Sequence, residues 1–367
     1  MNTEEILEHY RIVIVGSGPG GCNLARLLGD TAGGVLMLNG KSVRGEKVCG
    51  GLISPDAQDL LARYDISLPQ NILASPQLFS VRTIDLGRGA VRHYRRSYLN
   101  VDRAAFDSFL QGMVPDSVTV ASALCTDVRA VDGGYELEVM LGDEKKRITC
   151  ELLVGADGAQ SIVRRRLFPT KRIKKYTSIQ QWFEATESNP YYSCVFDAET
   201  SESCSWIFFK DEKMVFGGAF SPRGSREAFE AQKRRLVERG YVTKEAFSSP
   251  IRTEACSVCS PGIFRGIFRG RRGAFLIGEA AGFISPSSFE GISYALASAE
   301  ALAEAIDGGG SDRAIMRRYR AKSTSLVIKI FFKRIKHPFM YNPLLRFLVI
   351  RSGIGSIKLK NAKGIAK

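Results

Sequence analysis

The stretch "RIVIVGSGPGGCNLARLLG" near the N-terminus constrains this chain more than any other feature. A short β-branched run, Ile12 to Val15, leads into Gly16, Gly18 and Gly21 at G-x-G-x-x-G spacing. An apolar helical pattern follows (Leu24, Ala25, Leu27, Leu28), then a second apolar run from Gly34 to Asn39. This is strand, glycine turn, helix, strand. In such a unit the first glycine permits the tight turn and the second lets a pyrophosphate approach the backbone. The third lets helix and strand pack closely, and the helix N-terminus faces the phosphates. The expectation is a dinucleotide-binding α/β domain at the start of the chain. One position departs from the usual pattern. Asn39 stands where the second strand normally ends in an acid for the adenosine ribose. Asparagine keeps the hydrogen bond without the charge, so the contact is weaker or comes from another residue.

Two further segments lie far downstream. "ELLVGADGAQSIVRRRL" is a strand running into a glycine turn with Asp157. "AFLIGEAAGFISPSSFEGISYALASAEALAEAI" is a buried strand, a turn carrying Gly278 and Glu279, then Pro286, Gly291 and an Ala-rich helix opening near Ile292. The strand delivers Glu279 to its C-terminal end, where ligands bind in open α/β sheets. A carboxylate there suits a polyol chain. The helix after Phe289 aims its N-terminus at whatever is bound, which suits an electron-rich ring. Small residues at Ala280, Ala281 and Gly282 leave room for a planar ligand.

Taken together, these segments resemble the FAD fold of glutathione-reductase type found in the flavin hydroxylase and geranylgeranyl reductase superfamily. "KVCGG" and "CSWIFFKDEKMVFGGAF" are similar to segments of the geranylgeranyl reductase family, and "CGGLISPDAQ", "IQQWF" and "YYSC" resemble its bacterial CbrA-like branch. The resemblance implies bound FAD held by Gly16, Gly18, Pro19, Gly21, Asn39, Lys47, Cys49, Gly50, Gly51, Arg103, Asp157, Gly278, Glu279, Gly282, Pro286, Gly291 and Ile292. It implies a substrate side with Trp206, Phe208 and Phe289, and it makes Cys49 the candidate catalytic residue, as proton donor or redox partner. The competing reading of Cys49 is a small polarizable residue packed against a ring. Three departures stand out: Glu279 replaces the family's Asp, Phe289 a glycine and Phe209 a proline. The last two reshape the substrate pocket.

The implied fold is α/β with an α+β substrate domain. The FAD domain is discontinuous, taking residues 1–76, 100–170 and 261–306. The substrate domain takes 77–99 and 171–260, where "YTSIQQWF", "YYSCVFD", "SWIFF" and "MVFGGAF" read as antiparallel strands with one face buried. Residues 307–367 form a basic helical C-terminal segment. The chain carries a net charge of +14. Fifteen Lys and Arg and no Asp or Glu lie between Arg313 and Lys367, so the excess sits there. Interleaved charges and aromatics suit an anionic membrane surface, and equally a packed helical subdomain with a solvated basic face. No nucleic-acid motif accompanies the charge, so nucleic acid is not an expected partner.

Eight cysteines are scattered along 367 residues, and "MNTEEILEHY" does not read as a secretory leader. The expectation is a cytoplasmic protein, peripheral at the inner face of a membrane if the tail binds it. Cys256 and Cys259 form a lone C-x-x-C, with three histidines in the whole chain, so no metal site is expected. There is no second G-x-G-x-x-G, so NADPH or NADH, as donor, must dock transiently, with Asp157, Arg164 and Arg165 one candidate place. The expected function is an FAD-dependent reductase acting on a hydrophobic, isoprenoid-like substrate. Its rivals are a flavin monooxygenase acting on an aromatic compound and a non-enzymatic flavin-bound sensor of redox state or lipid. The sequence fixes no oligomeric state.

Overall fold

The computed structural model describes residues 6–40, 48–185, 187–262 and 266–357. The chain begins with β1 (His9–Val15), α1 (Pro19–Ala32), β2 (Val35–Leu38), β3 (Leu52–Ile53) and α2 (Pro55–Arg63). It continues through β4 (Leu78–Asp85), β5 (Ala90–Asn100), α3 (Arg103–Gly112), β6 (Val118–Ala121), β7 (Leu124–Val131), β8 (Gly134–Leu141) and β9 (Glu144–Gly155). After α4 (Ile162–Leu167) come β10 (Lys174–Glu184), β11 (Tyr191–Phe196), β12 (Cys204–Lys210), β13 (Lys213–Phe220), α5 (Ser225–Glu238) and β14 (Arg252–Ser260). The remainder is β15 (Gly270–Arg271), β16 (Ala274–Leu276), α6 (Gly278–Ala281), α7 (Ile292–Asp307), α8 (Asp312–Lys322), α9 (Thr324–Tyr341), α10 (Pro343–Ser352) and β17 (Ser356–Ile357).

Two sheets organise these elements. In the first, β6, β2, β1, β9 and β16 lie side by side and parallel, with β7 and β8 as an antiparallel flap on β9. Strands covered on both faces read as continuous apolar runs. Accordingly β2 is buried at every position, and β1 from Ile12 to Val15. Helix α7 lies against α1, and the approach is close: a Cβ on Gly20 would sit 3.4 Å from the Ala295 carbonyl. The alanines of α7 therefore serve helix propensity and close packing together.

The second sheet runs β14, β10, β13, β12, β11, β4, β5, β17, with β3 attached to β5. It is antiparallel apart from the β11–β4 pair. The four runs read from the sequence as strands are its central members, β10 to β13. One face buries an aromatic cluster of Phe183, Phe216, Phe220, Phe229 and Phe247 beneath α5. The charged surface helix expected between Arg223 and Gly240 is α5, held by Arg235 bridging to Asp197 at 2.8 Å.

The C-terminal helices are fastened to both sheets. The Tyr319 hydroxyl of α8 donates to the Leu276 carbonyl at 2.8 Å. Arg346 of α10 forms a buried ion pair with Asp85 of β4 at 3.0 Å, and β17 adds to the edge of β5. Among the described residues no helix is long and apolar enough to cross a membrane.

Candidate functional site

The glycine fingerprint divides its work as steric chemistry dictates. Gly16 has φ +108°, and a Cβ there would lie 2.7 Å from the Ala156 carbonyl. A Cβ on Gly21 would lie 1.9 Å from the Gly16 carbonyl. Both positions are closed to any side chain, and both serve packing between α1, β1 and the turn after β9. Gly18 is different. A Cβ there meets nothing within 4 Å, because Gly18, with Pro19 at the first turn of α1, faces a cavity.

That cavity holds about 630 Å³ and is lined from both sheets and from the C-terminal helices. At one end lie Gly18, Gly278, Glu279, Gly291 and Ile292. Its middle is walled by Val48, Cys49, Gly50 and Arg103. Its far end is the second sheet, with Tyr192, Trp206 and Phe208. Tyr192 and Phe208 stack at 6.4 Å, and Gly217 makes room for the indole of Trp206, since a Cβ there would sit 2.4 Å from its Nε1. Phe289 also lines the cavity. It holds φ +55°, a left-handed conformation rare outside glycine, beside the Tyr176 ring at 5.8 Å.

Cys49 sits where the two ends meet. Arg103 is half-buried, pairs with Asp107 at 3.0 Å and interacts with the Cys49 side chain. Lys210, from the end of β12, donates to the Gly50 carbonyl at 2.7 Å and the Val101 carbonyl at 2.5 Å. Burial lowers the Lys210 ammonium to about 8, and the neighbouring Cys49 opposes that shift. Negative charge developing on the Cys49 sulfur therefore meets two cations. The two glycines after it serve this packing. A Cβ on Gly50 would press on the Phe208 ring at 2.9 Å, and one on Gly51 (φ +67°) would strike the Val101 carbonyl at 2.2 Å.

A second polar group faces the cavity from the other side. Arg96 donates to both Glu290 carboxylate oxygens at 3.0 Å. The Tyr98 hydroxyl donates to Glu290 at 2.7 Å and accepts from Arg96 Nε at 2.8 Å. Burial first, and the Glu290 charge next, hold the Tyr98 phenol well above its usual range, so it stays protonated. Glu290 directly precedes the N-terminus of α7.

Several residues expected at the cofactor take other places. Asp157 is absent from the cavity wall: its Oδ2 accepts from the Ile162 and Val163 amides at 2.6 and 3.4 Å in the first turn of α4, while its Oδ1 is buried without a hydrogen-bond partner among the described residues. Burial raises its pKa. Arg164 is 3% exposed and clamps the carbonyls of Ala159 and Ala280 at 2.8 and 2.6 Å. It is neither a solvated face nor a dock for a nicotinamide phosphate. Gly282 (φ +87°) closes α6 against the Gly266 carbonyl, 1.9 Å from where its Cβ would be, rather than making room for a ligand. Gly16, Gly21, Gly51 and Pro286 are likewise absent from the cavity wall. Glu279 does line it, with one oxygen accepting from the Cys259 amide at 2.7 Å. Asn39 ends β2 off the cavity, accepting from Ser17 at 2.7 Å. Lys47 lies outside the described residues. Cys256 and Cys259 fall three apart on β14 and point to opposite faces, so they do not form a chelating pair.

Glu290 resembles the family's glutamate before the glycine that opens α7, but its partners Arg96 and Tyr98, and Lys210, were not singled out from sequence. A lysine closing the apolar run "SWIFFK" was the available signal for Lys210.

The residues fit FAD by the shape of this chain alone: a glycine with open space at a helix N-terminus, on a cavity that continues past a thiol to an apolar sheet. Comparison with known proteins agrees. A family model described as FAD binding domain matches residues 123–330. Protein CbrA of Escherichia coli O6:H1 is 38% identical over 356 residues, covering 96% of this chain and 95% of that protein. The crystal structure of a geranylgeranyl bacteriochlorophyll reductase-like protein from Thermoplasma acidophilum superposes with TM-score 0.79 at 17% identity, covering 96% of this chain and 93% of that one. PqsL from Pseudomonas aeruginosa, a probable FAD-dependent monooxygenase, superposes with TM-score 0.70 at 17% identity, covering 94% of this chain and 100% of that one. The two structural likenesses are likenesses of fold.

Proposed function

Because this chain belongs to the CbrA family of FAD-binding oxidoreductases, we propose that it is a reductase that saturates a hydrophobic, isoprenoid-like substrate. The observation that carries this reading is the single cavity that runs from Gly18 past Cys49 to Tyr192, Trp206 and Phe208. Bound FAD, once reduced, supplies hydride to a carbon–carbon double bond. The chain supplies the rest. Gly18 and the N-terminus of α1 hold the pyrophosphate. The aromatic wall of β11 and β12 orients an apolar chain and excludes water. Cys49 Sγ delivers the proton that balances the hydride, and Arg103 and Lys210 stabilise the charge left on sulfur. One hydride and one proton add across the double bond, and solvent reprotonates the thiol. The electrons would come from NADPH or NADH docking transiently, or from another protein.

The test is spectroscopic. Purified protein is expected to be yellow and to bleach on anaerobic addition of NADPH or NADH. An isoprenoid acceptor then restores the oxidised spectrum without oxygen, with a saturated product. Cys49→Ser is expected to bleach at the normal rate but to reoxidise at least tenfold more slowly. The likeness to PqsL keeps a monooxygenase as the second reading. Reoxidation that requires oxygen and yields a hydroxylated aromatic product would replace the reductase. A flavin that no donor bleaches would point to a sensor.

A further inference from the structure

We infer that α9 and α10 form a docking surface for an anionic lipid bilayer, with the cavity opening onto that surface. Ile328, Phe331, Phe332, Ile335 and Phe339 fall at i, i+3, i+4, i+7 and i+11 of α9, and each is at least 37% exposed. They make one stripe along one face of the helix. The opposite face does the packing, with Leu326 and Ile330 at 7% and 1% exposure. Exposed apolar residues scattered singly are ordinary, but a continuous stripe marks an interaction surface. Helix α10 extends the apolar face through Leu344, Leu348 and Val349, exposed by 44% or more.

Charge decides the occupant. Lys329, Arg334 and Lys336 flank the stripe, and none of them has an ion-pair partner among the described residues. No acidic residue occurs after Asp312. An apolar face bordered by charge of one sign is the pattern of a helix lying in the headgroup region of an anionic leaflet. Nucleic acid would use the charge but leave the aromatic stripe in water.

The cavity joins this face. Phe339 and Val349 are exposed at 53% and 44% and also line the cavity, with Lys333 and Lys336 beside them. The buried Arg346–Asp85 pair holds α10 in that position. A lipid-like substrate can therefore pass from leaflet to cavity without crossing water. This route rests on the reductase reading. The docking does not, and binding is measured without turnover.

The experiment is flotation of the full chain with phosphatidylcholine vesicles, with and without phosphatidylglycerol. The protein is expected to float only with the anionic vesicles, and less as salt rises. Lys329→Gln with Lys336→Gln should weaken binding roughly 25-fold, at about fivefold per charge. Phe332→Glu with Ile335→Glu should abolish flotation while leaving the thermal midpoint unchanged, because both positions are exposed. Trp fluorescence of Phe339→Trp and Val349→Trp variants should be quenched by brominated lipid. Failure of the wild type to float overturns the inference. So does undiminished flotation of the double Glu variant, which would mean adsorption by charge alone. A concentration-dependent dimer that the double Glu variant disrupts, without vesicle binding, would assign the stripe to a second copy of the chain. Flotation with no lipid acceptor reduced would refute the reductase and leave the docking surface standing.

Discussion

Gly18→Ala separates cofactor binding from folding within one motif. Gly18 has φ −73° and ψ −178°, a conformation open to any residue, and a Cβ there contacts no atom of the protein. Alanine is a poorer N-cap than glycine by about 0.5–1 kcal/mol, and it removes about 0.4–1 kcal/mol of unfolded-state entropy. These nearly cancel, so stability without cofactor should change by no more than about 0.5 kcal/mol. The new methyl points into the cavity, at the place where a phosphate must approach the backbone. Losing one hydrogen bond to a charged group costs about 1.5–3 kcal/mol, or roughly ten- to 150-fold in FAD affinity. Gly21→Ala is the control. Its Cβ would lie 1.9 Å from the Gly16 carbonyl, and the apoprotein itself should fail to fold stably. Urea unfolding of apoprotein and flavin-fluorescence titration read the two quantities. An FAD affinity within twofold of wild type for Gly18→Ala would refute the assignment of this turn to the pyrophosphate.

Asp157→Ala should lower stability by about 1–2 kcal/mol, the worth of a helix cap, while FAD affinity stays within twofold; a large loss of affinity would return Asp157 to the cofactor. Lys210 gives a pH signature. The folded lysine releases its proton near 8 and the unfolded one near 10.4, so the folded state binds fewer protons in between and stability rises with pH across that window. The rise is about 3 kcal/mol at most, and it should appear in the difference between wild type and Lys210→Met, where the opposing contribution of buried thiols such as Cys150 cancels; a flat difference curve rejects it. Arg346→Met strands the Asp85 carboxylate in the interior and should cost about 3–5 kcal/mol in denaturant unfolding. A loss below 1 kcal/mol would show that the C-terminal helices are not anchored there.

What could be read in advance follows the range of the forces involved. The fingerprint turn is legible because its spacing is local, and the Gly21 constraint is local too, set by the Gly16 carbonyl, although Gly16 itself answers to Ala156 far downstream. The central strands of the second sheet are legible as short apolar, aromatic runs, but not as strands with one face buried: β13 is buried at every position after Lys213, because α5 covers one face and the cavity-side aromatics the other. Phe289 marked its own site, standing where the resemblance has a glycine and adopting the backbone that glycine would take. Lys210 was not legible: it is buried by carbonyls at Gly50 and Val101, more than a hundred residues upstream. The same holds for Arg96 and Tyr98 on β5, which meet Glu290 from more than a hundred and ninety residues upstream. The side chains of Asp157 and Arg164 were not legible for a different reason. The motif marks the loop correctly, but which way each side chain turns is settled by the amides of α4 and the carbonyls of α6.

The first sheet also sets a timetable. Strand β1 is paired on one side with β2, which is soon made, and on the other with β9, where His9 meets Thr149 and Val15 meets Gly155. Strand β16 closes against β9 only at Leu276. At 5–20 residues per second, about 7–30 seconds separate synthesis of the first strand from synthesis of its second neighbour. During that interval the nascent chain presents an unsatisfied edge of almost wholly apolar strand. Completion of the nucleotide-binding sheet is thus a late event in synthesis, and the edge of β1 waits longest for its partner.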